Sequence, residues 1–288
     1  MLLLAAAQRV PCAVATVDHG LRPESTDEAA AVAAMCASLG LAHTILTLNM
    51  APGSGVQERA REGRYAALGD WAFATGLAAL VTAHHADDQA ETLVMRLNRG
   101  AGVRGLAAMR RVSLVPGRPQ CPLLRPLLGW RQAELDAVLT GSGLNPVLDP
   151  SNHDTRFERA RIRTDLAAAS WLNIGALAES ASHLAEADTA IEWAAAREFG
   201  SATRSGQTLA WSPGDAPRVV VLRVLEHIVA EFGCAAPRGS ALARWYDQLA
   251  IGRIATLANI RGDGRKSVWL FAKAPPRRPD HAFDGEIS

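Results

Sequence analysis

The stretch 77–97 constrains the fold of this chain more than any other part of the sequence. It begins with the apolar run 77–83, which has the length of a buried strand. After a short polar interval, apolar residues recur at the spacing of one buried helical face, at Ala90, Leu93, Val94 and Leu97. The sequence therefore predicts a buried strand that passes directly into a helix.

Two histidines and three carboxylates surround the junction of this strand and helix. His84 and His85 follow the strand, where ligands collect in open parallel sheets. Asp88 and Glu91 lie three positions apart, so they share a helix face roughly opposite the apolar stripe, and Asp87 adds a third carboxylate. Acids in a first turn also suit the helix dipole, so capping is an alternative interpretation. Adjacent histidines are not explained by capping and favour a functional site.

The sequence before this junction alternates predicted strands and helices. Strands are predicted at 12–17 and 43–48, and helices at 27–39 and 56–75. This β-α-β-α order predicts an α/β fold with a doubly wound parallel sheet and right-handed crossovers.

The remaining sequence is predicted to be mainly helical. Helices are expected over 167–199 and 219–232, a strand at 208–211, and a hairpin around 262–264. The chain is accordingly divided into three parts: 1–166, 167–236 and 237–288, the last a short C-terminal segment.

The string 82–92 resembles the second signature of the N-type ATP pyrophosphatases, or PP-loop enzymes, and is most similar to that of the tRNA(Ile)-lysidine synthases. Further stretches agree with the family pattern in the same order, at 17–25, 57–65, 124–127 and 149–152. The resemblance covers about residues 1–165 well and the remainder loosely. It implies that 1–166 is a catalytic domain of the adenine nucleotide alpha hydrolase type, followed by a smaller helical domain, 167–236, that binds tRNA.

The resemblance also implies a reaction. In this family a carbonyl oxygen of the substrate attacks the α-phosphorus of ATP, and pyrophosphate leaves. In the lysidine synthases the oxygen is O2 of the wobble cytidine in the CAU anticodon of tRNA(Ile), and free L-lysine then attacks the adenylated carbon. Such chemistry requires Mg²⁺ on the triphosphate, cations for the developing charge, and carboxylates for the amine.

Roles for the junction residues follow from the same resemblance. Asp88 and Glu91 match the acid pair of the family, and we expect them to bind metal or to orient the lysine ammonium. Asp88 is the candidate metal ligand. His84 matches the first histidine of the family and is expected to contact nucleotide phosphate, with His85 also on the nucleotide.

Two further groups are expected at the nucleotide. Arg61 and Arg64 lie one helical turn apart and could clamp the triphosphate, Arg64 as part of the catalytic set; an exposed basic edge is the alternative. Asp18, His19 and Gly20 end the first strand, where the family meets the nucleotide, although a plain turn explains Gly20 equally well.

The densest basic cluster in the sequence is predicted to contact tRNA phosphate or the triphosphate. It has one acid among four arginines, Arg156, Arg159, Arg161 and Arg163. Ala160 stands where the family usually has asparagine. The overall net charge is only +1, so composition alone does not indicate a nucleic-acid-binding protein.

Composition favours a cytoplasmic protein without a membrane partner. The four cysteines are far apart and form no C-x-x-C pair, which argues for a reducing compartment and against a zinc site. No apolar run reaches membrane-spanning length. The oligomeric state is left open, with a homodimer allowed.

One family element is expected to be missing. Family members open with a strand and a Ser-Gly-Gly-x-Asp-Ser loop that binds pyrophosphate, and this sequence does not contain that loop. Residues 1–6 resemble the helix that follows it. We therefore expect the chain as written to lack the first strand, to bind ATP poorly and to form no lysidine.

Two other functions are compatible with the motifs. One is another ATP pyrophosphatase acting on tRNA, of the thiolase type, which is weakened by the absence of paired cysteines. The other is a metal-dependent phosphoesterase built on His84, His85, Asp87 and Asp88. It would need further acids or histidines at strand ends.

Overall fold

A computed structural model describes residues 1, 5, 11–20, 24–48, 50, 53, 55–142 and 158–275. Contacts divide the chain into two compact units, Met1–Ala185 and Glu186–Ser288. We call them the first and the second unit and describe each by itself. No described helix is both long enough and apolar enough to cross a membrane.

The first unit alternates strands and helices, as the sequence predicts. Its described elements, in chain order, are β1 (Ala13–Asp18), α1 (Glu24–Ser38), β2 (Ala42–Thr47), α2 (Val56–Ala74), β3 (Leu80–Val81), α3 (Ala86–Leu97), α4 (Val103–Leu106), β4 (Val112–Val115), β5 (Arg118–Leu124), α5 (Gln132–Thr140), α6 (Glu158–Ala168) and the start of α7 (Ile174–Phe199).

Parallel pairing confirms the predicted α/β class. β1 runs parallel to β2 with Ala13 opposite Ala42, and α1 connects the two strands. β3 runs parallel to β5, whereas β4 is antiparallel to β5. Among the described residues no ladder joins the first pair to the three-stranded sheet. A small apolar core packs α2 against that sheet, with Tyr65, Ala72, Leu80, Val115 and Leu123 buried.

Glycines in the left-handed conformation end two helices of this unit. Gly40 has a left-handed φ of +67° after α1. The N–H of Leu41 then donates to the carbonyl oxygen of Cys36 at 2.9 Å, which satisfies one of the last carbonyls of the helix. Gly76, with φ +68°, ends α2 in the same way.

The second unit combines helices with an antiparallel sheet. Its elements are the rest of α7, then β6 (Thr203–Ser205), β7 (Thr208–Trp211), α8 (Arg218–Glu231), α9 (Gly239–Ala250), β8 (Ile254–Leu257), β9 (Ile260–Asp263) and β10 (Trp269–Lys273). The strand order is β6-β7-β10-β9-β8. One face of this sheet packs on α8 and α9, where Trp211, Val224, Trp245, Leu249 and Phe271 are buried.

The division of the chain differs from the expected one at two points. The boundary between units lies inside α7 instead of at residue 166. The expected parts 167–236 and 237–288 share a single core, since Val224 and Phe271 belong to one buried cluster. Helix α9 accounts for this, because its Trp245 and Leu249 are buried in the same cluster.

The hairpin expected around 262–264 is formed by the antiparallel pair β9 and β10, with its turn at 264–268, and a second hairpin precedes it. β8 and β9 turn at Ala258 and Asn259, which both have positive φ angles of +49° and +61°. Gly262 lies within β9 and not in a turn. A Cβ at this position would come within 3.0 Å of Leu249 and Trp245 on α9, which explains why the residue is glycine. The glycine serves close packing of helix on strand.

Candidate functional site

A cavity of about 300 Å³ lies where β3 ends and α3 begins. It is lined by Arg64, Tyr65, Leu68, Thr82, Ala83, His84, His85 and Asp88. The structure therefore brings four of the predicted site residues together at one opening. They come from α2, from the strand end and from the first turn of α3.

His84 is held as a neutral imidazole on the cavity wall. Its Nδ1 is hydrogen-bonded to Oγ1 of Thr82 at 2.8 Å. Burial lowers the pKa of His84 to about 4, and the neighbouring cations Arg125 and Arg159 act in the same direction while Asp88 opposes them. Near neutral pH this side chain can exchange hydrogen bonds but carries no charge.

Asp88 caps the helix and also faces the cavity. Its Oδ2 accepts the backbone N–H of His85 at 3.0 Å, which satisfies a free donor at the start of α3. The His85 ring lies alongside, with Nε2 3.5 Å from Asp88 and a buried, unpartnered Nδ1 3.6 Å from Asp87. The capping interpretation and the site interpretation thus apply to the same carboxylate.

Glu91 is buried behind the cavity and is neutralised by two arginines of α6. Its side chain is only 2% exposed. One carboxylate oxygen accepts Nε of Arg159 at 2.6 Å, and the other accepts Nε of Arg163 at 2.6 Å. The hydrogen bond that Arg163 donates to Glu91 raises the pKa of Arg163, although burial opposes the shift. Glu91 does not line the cavity.

The acid pair is therefore divided between two environments. Asp88 keeps contact with the cavity and lies 3.3 Å from Nη2 of Arg159. Glu91 meets guanidinium groups on both of its oxygens. Of the four arginines predicted to contact tRNA, Arg159 and Arg163 are thus engaged within the protein.

The remaining residues of the basic cluster have different positions. Arg161 is exposed on α6. Arg156 lies outside the described residues. Ala160, in place of the family asparagine, is buried.

Asp87 anchors the segment before α5 and was not predicted to do so. It accepts hydrogen bonds from Nη2 of Arg131 at 3.0 Å and from the backbone N–H of Gln132 at 2.8 Å. Although burial opposes them, these bonds lower the pKa of Asp87. The N–H of Ala86 donates in turn to the carbonyl of Trp130. Arg131 lies 44 positions from Asp87, so no local pattern could have revealed the pair.

Asp18 and Gly20 form a tight turn at the end of β1. The Asp18 carboxylate accepts the Ser25 hydroxyl at 2.6 Å, the Thr26 hydroxyl at 2.9 Å and the Gly20 N–H at 3.0 Å. These bonds lower the pKa of Asp18. His19 is partly exposed in the same turn. The geometry shows what holds the turn, and the expected nucleotide contact stays a prediction.

Comparison with known proteins assigns the chain. The model of the PP-loop domain family matches residues 1–170. A tRNA(Ile)-lysidine synthase of Novosphingobium aromaticivorans is 57% identical over 272 residues, covering 94% of this chain and 83% of that protein. A second, from Zymomonas mobilis, is 41% identical and covers 96% of this chain and 85% of that protein. The chain belongs to the tRNA(Ile)-lysidine synthase family.

A solved structure of a U34-tRNA thiolase from Methanococcus maripaludis also matches, with a TM-score of 0.46 at 16% identity over 60% of this chain and 61% of that one. This distant likeness adds nothing to the assignment to the lysidine synthase family.

In the context of this family the cavity can be tested against its expected ligands. Arg64 is the cation on the wall, and Arg61 lies one turn away with its guanidinium 5.2 Å from the Tyr65 ring centre. Asp88 is the one carboxylate among the lining residues, and Mg²⁺ needs only one or two carboxylates when phosphate oxygens complete its shell. Across the described parts of the chain, no three histidine, cysteine or acidic side chains form a metal-binding group.

Proposed function

We propose that the cavity at the start of α3 serves ATP-dependent ligation of L-lysine to the wobble cytidine of the CAU anticodon of tRNA(Ile). The observation that carries the proposal is the meeting of Arg64, His84 and Asp88 at one opening in a chain of this family. Since ATP and tRNA are the co-substrates, the reaction belongs in the cytoplasm.

The first step forms a bond between O2 of the cytidine and the α-phosphorus of ATP. The bond from that phosphorus to the pyrophosphate oxygen breaks, and pyrophosphate carries away the negative charge. Arg64, supported by Arg61, neutralises this charge from the cavity wall. His84 contributes a hydrogen bond without charge, because its pKa is about 4.

The second step forms a bond between the lysine ε-nitrogen and C2 of the cytidine. The ε-ammonium first gives a proton to solvent so that the amine can attack; the C2–O bond then breaks, AMP leaves, and the attached nitrogen loses a second proton to solvent. Asp88 is the carboxylate that faces this space, whereas both oxygens of Glu91 are taken by arginines. Asp88 therefore receives the lysine ammonium, and it is also the residue that would hold Mg²⁺, which supplies further charge neutralisation on the triphosphate.

The test is incorporation of labelled lysine into the tRNA(Ile) transcript with a CAU anticodon. The chain is assayed beside a version extended at its N-terminus by a strand and a Ser-Gly-Gly-x-Asp-Ser loop of the family pattern. A transcript with uridine at the wobble position is the negative control. Lysidine formed by neither version would contradict the proposed function.

Asp88→Asn in the active version should lower lysidine formation at least about a hundredfold, a magnitude usual for removing one charged group from a reacting centre. Pyrophosphate release measured in the absence of lysine distinguishes the two proposed roles of Asp88, metal binding and lysine binding. Loss of both steps indicates metal binding, and loss of ligation alone indicates lysine binding. Asp136→Asn, on the exposed side of α5, is the control and should change neither step. Near-normal turnover of Asp88→Asn would leave helix capping as the only role of this acid.

A further inference from the structure

The second unit is divided into an acidic and a basic region. Between residues 186 and 236 there are four arginines against seven carboxylates. Between 251 and 273 there is one carboxylate, Asp263, against five cations: Arg253, Arg261, Arg265, Lys266 and Lys273. The chain as a whole carries a net charge of only +1, so this separation is large.

The alternation of β9 directs part of this charge away from the core. Ile260 and Gly262 are buried against the helices, whereas the Arg261 side chain is 41% exposed. Arg261 lies opposite Thr256 of β8 and Ala272 of β10. It therefore stands in the middle of the sheet face that does not pack on the helices.

The turn between β9 and β10 adds two more cations beside an open groove. The groove, of about 390 Å³, is lined by Asp263, Arg265, Lys266, Val268 and Leu270. The apolar members are partly exposed, Val268 at 45% and Leu270 at 42%. We call the outer face of β8, β9 and β10 with this turn the basic sheet face, and its cations are Arg261, Arg265 and Lys266.

Asp263 fixes the geometry of the basic sheet face. Its carboxylate accepts Nε of Arg265 at 2.9 Å and Nη2 at 2.7 Å, and Nη2 of Arg261 lies 3.4 Å away. A guanidinium has five N–H donors, so Arg265 keeps donors for a further ligand while its fork is held in place. Lys266 is exposed next to it.

We propose that the basic sheet face binds the phosphate backbone of RNA. Three cations beside a partly apolar groove suit phosphates together with the apolar parts of sugars and bases. The segment 186–236 of the same unit has more carboxylates than arginines, so within this unit we expect the polyanion on the basic sheet face. The identity of the RNA as tRNA rests on the proposed function, whereas the phosphate contact rests on the charges alone.

The experiment measures tRNA affinity against salt. The dissociation constant of a fluorescent tRNA(Ile) transcript is followed by anisotropy between about 50 and 300 mM NaCl, since each phosphate contact contributes roughly 0.7 to 0.9 to the logarithmic salt slope. The triple variant Arg261→Gln, Arg265→Gln and Lys266→Gln should lose about two units of slope and bind at least about tenfold more weakly near 150 mM salt.

The matched control removes the same charge elsewhere in the second unit. Arg197→Gln, Arg204→Gln and Arg218→Gln remove cations that lie over Trp193 or beside Glu231 and Asp247. This triple variant should leave the slope nearly unchanged. Equal losses in the two triple variants would show that only net charge matters, and an unchanged slope in the first would also overturn the proposal.

Two further arms complete the test. If the first triple variant does not fold, as judged by circular dichroism, Lys266→Gln alone should still lower the slope by about 0.7 to 0.9. Binding to anionic lipid vesicles without tRNA binding would replace RNA by a membrane surface and overturn the inference. A chain that binds tRNA through this face yet makes no lysidine in either version would contradict the proposed function only.

Discussion

Two arginine clusters, one in each unit, look alike in the sequence and differ in the structure. On α6, Arg159 and Arg163 donate to the buried Glu91, which lies 68 and 72 positions earlier in the chain. On the basic sheet face, Arg265 pairs with an acid two positions away, and its side chain stays 62% exposed. The density of arginines therefore does not reveal whether they face a partner. The carboxylate that the fold brings to them decides it.

The physical reason lies in the burial of Glu91. A carboxylate removed from water is stable only when its charge and its lone pairs are matched, and two guanidinium forks supply both. This requirement fixes Arg159 and Arg163 against α3 and leaves their side chains only 36% and 35% exposed. Asp263 is only 13% exposed, but its partners Arg265 and Arg261 are 62% and 41% exposed, so these guanidinium groups remain accessible.

The largest expected effect comes from substituting the buried acid, Glu91. Glu91→Gln leaves both arginines facing an amide, and we expect a loss of about 3 kcal/mol in the free energy of unfolding of the first unit. Hydrogen exchange of amides in α3 and α6, combined with urea unfolding, measures this loss in the right region.

The control for Glu91 is the second ion pair between the same segments. Arg99, just after α3, pairs with Glu158 at the start of α6 at the protein surface. Glu158→Gln should cost no more than about 1 kcal/mol, as exposed pairs do. Equal effects of the two variants would mean that burial does not distinguish them.

A smaller effect sharpens the difference between the two arginine clusters. Arg159→Gln should destabilise the first unit by about 2 kcal/mol, because Glu91 loses one of its partners, and should leave the salt slope of tRNA binding nearly unchanged. Lys266→Gln should leave the stability nearly unchanged and should lower the salt slope of tRNA binding. If Arg159→Gln lowers the salt slope without destabilising the protein, Arg159 contacts RNA instead of stabilising Glu91. The two arginine clusters would then not differ in the way described.

The smallest effect concerns His84 and pH. Its pKa of about 4 lies below the ordinary value of 6.5, so the unfolded chain binds the extra proton first. The stability contributed by the neutral ring is complete above pH 6.5 and is lost as the pH falls towards 4. At pH 5 the loss should be about 1 kcal/mol, since partial exposure of the ring screens the effect.

The variant His84→Asn isolates this dependence. It can keep a hydrogen bond to Thr82 but has no titrating group, so its urea midpoint should fall less than that of the parent between pH 7 and pH 5. Parallel pH profiles for the two proteins would show that His84 is protonated as easily in the folded state as in the unfolded one.

The sequence predicted the local features of the site and missed its long-range partners. The strand and helix around residue 85 were predictable because their patterns are short, and they bring His84, His85 and Asp88 to one cavity. The bonds from Arg131 to Asp87 and from Arg159 to Glu91 were not, because only the folded chain brings them together. Helix α9 did carry a signal, since Leu242, Trp245 and Leu249 have helical spacing.

The alternation along β9 has a consequence for how this protein can change over evolutionary time. Ile260 and Gly262 are restricted by the helix behind them, and Gly262 admits no larger side chain without displacing Leu249. Arg261 and Asp263 face the other way and are free of that restriction. Selection can therefore exchange charges on one side of this strand step by step, while the other side keeps the sequence that folding demands. A relative that binds a different partner at this face would be reached by such steps while the buried side of β9 keeps its residues.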